Sequence, residues 1–278
     1  MKKIFALVLV LSLVFAFAAC KGTTEPTTEA TTEATVDDTT EATVDDTTEA
    51  APAEGVMSYD DFVAAALDTE VTVETYVQAK QGWWTDSSTG KSQASFYTQN
   101  EDGAFFLYNL ECSEEDYAKL VPGTKIKVTG TKSEWSGEVE IIDATYEIEE
   151  GSFIATATDV TDKLGTEDIA NYQNQLVSFK GMTVEASTDA DGNEAAFLYS
   201  YDGSGSNEGN SDLYFKVSKD GQTYTFTVES YLCGSDTDVY KAVEGLHVGD
   251  VIDLEGFLYW YNGANPHITS VTVVEAAA

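Results

Sequence analysis

The chain of 278 residues contains no arginine. Its 14 basic residues are all lysines, set against 49 acids, for a formal charge of −35. A chain without Arg lacks the planar guanidinium fork that best matches phosphates and guanine edges. Histidine is scarce too: His247 and His267 stand alone, without a Cys, Ser or acid at a recognisable catalytic spacing. Cysteine is limited to Cys20, Cys112 and Cys233, with no C-x-x-C or Cys/His grouping, so no metal centre is expected. Nucleophile-elbow, H-E-x-x-H and phosphate-loop patterns are all missing, and neither an enzyme nor a cofactor is expected. Long apolar runs are confined to residues 4–19, shorter than the roughly 20 residues a permanent membrane span needs.

That one run follows Met1-Lys2-Lys3 and ends in Ala18-Ala19, directly before Cys20. A basic start, a short apolar stretch and small residues at its end read as a signal peptide, residues 1–19. A Cys immediately after the small pair resembles the lipobox of bacterial lipoproteins, with Phe17 where Leu is commonest. The resemblance implies that the leader is removed and that Cys20 is diacylated as the new N-terminus. It places the protein on the outer face of the bacterial cytoplasmic membrane. Two acyl chains, at about 0.8 kcal/mol per buried methylene, anchor a protein stably. Residues 20–55 then form an acidic Thr/Glu-rich stalk in which TTEATVDD occurs twice in tandem. Such a stretch buries too little apolar surface to offset its conformational entropy and is expected to be disordered.

From residue 56 onward 39 acids face eleven lysines, so the folded part is itself near −28. A capping box, Ser58 with Asp61, predicts a short helix. Alternating segments then predict strands from Val71, around an Asn-Glu-Asp-Gly turn, and on either side of Ser136-Gly137. A second short helix follows Ser113. The order is strand, strand, strand, helix, strand, strand. It returns in the second half, with LVSFKGMTVEA first, EAAFLYSYDG and DLYFKVS next, and QTYTFTVESYL as an added strand. The polar stretch 203–211 reads as an inserted loop, and Asp189-Ala190-Asp191-Gly192 as a hairpin turn rather than a calcium loop, because its Gly comes too early.

One segment is written twice. LVPGTKIKVTG at 120–130 and LHVGDVIDLEG at 246–256 share Leu, Gly, Ile and Gly 126 positions apart. Trp135-Ser136-Gly137 aligns with Tyr261-Asn262-Gly263 at the same offset. This pattern, with the helix between third and fourth strands, resembles the fourth strand and following loop of bacterial OB-fold domains. The whole is similar to Firmicutes-type surface lipoproteins with tandem OB folds. The expected architecture is all-β with short helices: two tandem five-stranded Greek-key barrels, at 56–151 and 173–278, joined by a connector at 152–172. Cys112 and Cys233 are not equivalent under the repeat; export would permit a disulfide, but isolated thiols are more often unpaired.

The family binds nucleic acid or sugars through strands 2 and 3 and the loops joining strands 1–2 and 4–5. Charge weighs against nucleic acid, whose non-specific binding rests on neutralised phosphates. Lys125 and Lys127 become Val251 and Asp253 in the second copy, so any basic face inverts between repeats. Aromatic residues give a better lead. Trp83 and Trp84 start the first 1–2 loop, Trp135 and Tyr261 sit at the two 4–5 hairpin tips, and Tyr259 opens a run of three aromatics. These five are the candidate ligand-binding residues. The favoured reading is a membrane-anchored, non-enzymatic surface module that binds an extracellular glycan. Single-stranded DNA or RNA binding is the alternative, and a structural spacer or protein-interaction domain the third.

Overall fold

The alternation seen in the sequence becomes two closed barrels in the computed structural model, which describes residues 55–277. The signal peptide, Cys20 and most of the stalk lie outside the described residues.

Ser58 caps a helix α1 (Tyr59–Ala64) by accepting the Asp61 amide. The first barrel then runs β1 (Glu70–Lys80), β2 (Ser92–Gln99), β3 (Ala104–Glu111), α2 (Glu114–Lys119), β4 (Thr124–Trp135) and β5 (Glu138–Ser152). β1 pairs with both β2 and β4, β2 with β3, and β4 with β5, all antiparallel. β3 and β5 close the ring in parallel, Phe106 opposite Glu140. The circuit β1-β2-β3-β5-β4 is the Greek-key barrel of the OB fold.

The second barrel repeats that circuit with β6 (Leu176–Glu185), β7 (Leu213–Lys219), β8 (Gln222–Val228), α3 (Asp238–Glu244), β9 (Val251–Phe257) and β10 (His267–Glu275). Its parallel closure joins Thr227 of β8 to His267 of β10. The strand assignment of this half differs from the sequence expectation. DLYFKVS is the second strand, paired with β6 through Val217 and Val184, and QTYTFTV is the third rather than an addition. Phe197–Tyr199, expected in the second strand, instead forms a short extra strand on the free edge of β7. Apolar alternation alone could not choose between two adjacent runs; the long-range ladder to β6 did. The loop between first and second strands therefore spans 186–212 and includes the 203–211 insertion.

The repeated glycines have a steric cause. A Cβ on Gly130 would lie 2.7 Å from Ile141 Cγ2 and 2.8 Å from the Ile142 carbonyl oxygen. On Gly256 it would run into the backbone of His267 and Ile268. At both places the register of the fourth and fifth strands shifts, so the strands cross closely where the barrel bends. The intervening apolar positions Ile126 and Ile252 are fully buried in their respective cores.

Both barrels belong to one compact unit. The connector contributes to it: Val160, Leu164 and Ile169 sit in the core of the second barrel. A third, smaller apolar cluster joins the barrels, built from Tyr97 and Phe106 of the first and Phe257 of the second. Tyr97 stacks on Phe257 at 4.4 Å between centroids, and its hydroxyl lies 2.9 Å from His267 Nδ1. Cys112 and Cys233 are both free and buried.

Candidate ligand groove

In a strand whose inward residues fill the core, the alternate residues must face out. On β2 and β3 Phe96, Phe105 and Leu107 point inward, so the cross-strand pair Tyr97 and Phe106 points outward. That outward face is covered by the second barrel. On β7 and β8 Leu213, Phe215, Phe226 and Val228 are internal. Their neighbours Tyr214, Lys216, Thr225 and Thr227 line an open groove of about 690 Å³.

Loops complete the groove. The long 1–2 loop supplies Leu198, Tyr201 and Asp212; the 4–5 loop supplies Tyr259, Tyr261 and Asn265. The first barrel adds Trp135 from the tip of its own 4–5 hairpin, where Ser136 and Gly137 both take positive φ, as a tight two-residue hairpin turn requires. The two hairpin tips touch. Trp135 and Tyr261 lie 5.3 Å apart, and the Asn262 amide donates to the Ser136 carbonyl at 2.7 Å. Trp135 and Tyr261 remain 54% and 51% exposed, and Tyr201 is 78% exposed, so five aromatic side chains border a solvent-accessible trough. A shallower depression of about 1010 Å³ beside β3 and β5 is lined mainly by small and polar residues, including Lys91 and Glu111, which pair with each other at 2.9 Å. It offers few aromatic surfaces.

Of the five residues expected from sequence, the structure brings Trp135, Tyr259 and Tyr261 together. Trp83 and Trp84 do not line this groove. Trp83 is half-buried against the first core and donates its indole N–H to the Cys112 carbonyl at 3.0 Å. Trp84 is exposed on a short hairpin with Gln93. Sequence reasoning missed Tyr201, Tyr214, Asp212 and Glu229. The alternation of DLYFKVS carried the signal for Tyr214, once that segment is taken as the second strand.

The groove is acidic. Asp212 accepts hydrogen bonds from the Ser230 amide at 2.8 Å and hydroxyl at 2.7 Å. Glu229 accepts from Gln81 of the first barrel at 3.1 Å and from the Tyr231 amide at 3.2 Å. Burial, reinforced by the nearby Asp212 charge, raises the Glu229 pKa to about 7. Burial and the same two carboxylates push the Tyr214 phenol to about 12. Beneath the hairpin tips Glu138 is fully buried and accepts from the Trp260 amide at 2.8 Å; burial raises its pKa well above the ordinary range. His267 stacks on Tyr259 at 4.3 Å, and burial lowers its pKa to about 3, so it is neutral.

Most lysines are already engaged. Lys125 bridges Glu74 at 2.7 Å and Glu149 at 2.9 Å. Lys119 pairs with Glu115 and Asp116, both at 3.0 Å. Lys132 is buried, donating to the carbonyls of Phe62, Val63 and Ala65 at the end of α1. Among the described residues only Lys127 and Lys216 make neither an ion pair nor a hydrogen bond. No cluster of metal-ligating side chains occurs among them either.

No protein-family model and no curated protein matches the sequence. Solved structures show a loose likeness. A murine DNA binding protein bound with double-stranded DNA aligns with TM-score 0.37 and 12% identity, over 74% of this chain and 97% of that one. The p204 HINb domain aligns with TM-score 0.34 and 10% identity, over 76% and 100%. The Ifi202 HINa domain in complex with a 20-bp double-stranded DNA gives 0.32 and 10%, over 75% and 100%. At such scores the barrel assignment stands on the strand pairings described above.

Proposed function

We propose that this chain is a non-enzymatic binding module that holds an extracellular glycan in the groove of its second barrel, displayed on a bacterial membrane through lipidated Cys20. The observation that carries the reading is the meeting of Trp135 and Tyr261 at the lip of a trough that also presents Tyr201, Tyr214 and Tyr259. Rigid aromatic faces beside hydroxyl and amide groups suit sugar rings, which are apolar on their faces and polar at their edges. An acidic surround costs a glycan little.

The DNA named with the murine protein and the Ifi202 domain raises the other reading for this chain. The charge distribution opposes it. Association with a duplex or single strand rests on cations that displace its counterions, and here Lys216 alone lines the groove while Asp212 and Glu229 flank it.

The test is a glycan array followed by calorimetry on the full chain, with single- and double-stranded DNA measured in parallel at about 50 mM salt. Glycan binding is expected, and Trp135→Ala and Tyr261→Ala should each weaken it about five- to tenfold, the loss of roughly 1 kcal/mol per aromatic contact. Sub-micromolar DNA binding without glycan binding overturns the reading.

A further inference from the structure

We propose that the glycan taken by this groove carries protonated amines, as a free-amine amino sugar does; the inference rests on the glycan reading above and specifies its chemistry. The groove attracts cations in three independent ways. Its aromatic rings present their electron-rich faces, which attract an ammonium group within about 6 Å of a ring centroid. Its two carboxylates, Asp212 and Glu229, line the same trough as a single base, Lys216, which stands out in solvent opposite Thr225. The folded part around it is strongly acidic, and a cleft lined by one sign of charge concentrates ions of the other.

The carboxylates are built in rather than incidental. Both Ser230 hydrogen bonds hold Asp212 in one orientation, at 2.8 and 2.7 Å. Glu229 is 8% exposed and tied across the barrel junction to Gln81. Burial first, and then the repulsion of the nearby Asp212 charge, raises the Glu229 pKa to about 7. An ammonium between the two carboxylates relieves that repulsion. A neutral sugar leaves that energy unused, and an acidic sugar adds to the repulsion.

Calorimetry on the full chain should compare a β-1,4-linked glucosamine tetramer with its fully N-acetylated counterpart. The free-amine form is expected to bind about tenfold tighter at low salt, with charge-assisted hydrogen bonds and ring contacts adding together. That advantage should shrink toward parity near 1 M salt, where the Debye length falls to about 3 Å. Asp212→Asn should remove most of it. Because Asp212 also holds Ser230, the salt titration of the unaltered protein tests the same point without a variant. Equal or tighter binding of the acetylated tetramer overturns the amine inference and leaves the glycan reading standing. Binding of neither tetramer, together with no hit on the array, removes both.

Discussion

The two barrels share one strand circuit and put the same face to opposite uses. In the first, the outward residues of the second and third strands, Tyr97 and Phe106, are buried under Phe257 and Tyr259. In the second, the corresponding face carries half-buried Tyr214 and exposed Lys216 and Thr225, with buried Thr227 beneath, and borders the groove. A duplicated fold thus has one copy serving as a platform and the other keeping the groove. The platform does more than support: it lends Trp135 to the rim and Gln81 to Glu229. Such an arrangement holds loops from both copies at fixed spacing, which would lower the ordering cost of the proposed binding.

The sharpest way to break the comparison is to truncate one outward Tyr in each barrel. Tyr97→Ala empties a fully buried site and leaves His267 without its hydroxyl partner; a loss of about 3–5 kcal/mol is expected in denaturant unfolding. Tyr214→Ala, half-buried along the groove, should cost clearly less, about 1–2 kcal/mol in the same measurement, while weakening the proposed ligand binding. Equal stability losses would contradict the division into platform and groove.

Gly256→Ala tests barrel closure. Its new methyl would strike the backbone of His267 and Ile268, which cannot yield without disturbing the β9–β10 ladder. A loss of about 2–3 kcal/mol is expected.

The smallest effect is that of pH. Glu140 and Glu229 have pKa values raised by burial to about 7, against 4.5 in an unfolded chain. In that interval the folded state binds more protons than the unfolded one, so these groups lower stability as pH climbs from about 4.5 to 7. His267, lowered to about 3 from 6.5, acts in the opposite sense, costing stability as pH falls through that range. With buried Glu138 raised in the same sense, these acids outweigh one imidazole above pH 4.5. Below it His267 is joined by carboxyls lowered by hydrogen bonds, such as Asp159 and Asp250, which also cost stability as pH falls. Urea unfolding is therefore expected to show a maximum near pH 4.5–5 and a decline of about 1–3 kcal/mol by pH 7. A flat profile would mean that water reaches the junction.

Much of the fold was legible because it is written locally. The capping boxes at Ser58 and Ser113, the turn at Ser136-Gly137 and the paired Gly-x-x-Ile spacings each act over a few residues. The exchange of strands in the second barrel was not legible, since EAAFLYSYDG and DLYFKVS look alike by pattern and only pairing with β6 separates them. The candidate groove was half legible. Aromatics at hairpin tips pointed to Trp135, Tyr259 and Tyr261, whereas Trp83 looked equivalent until its indole was found against the first core.

By itself the amino-acid sequence determined the duplicated barrel, through periodicity and through glycines that only a close strand crossing demands. It also set the acidity, which is a matter of composition. Which barrel keeps an open face was decided only by tertiary structure. Tyr97 and Tyr214 are both outward tyrosines on second strands, and nothing local distinguishes them. One meets Phe257 from a strand 160 positions away in the chain and loses its solvent; the other is left half-buried along the groove. Burial of that kind is a property of how two finished surfaces fit, and no window of sequence contains both.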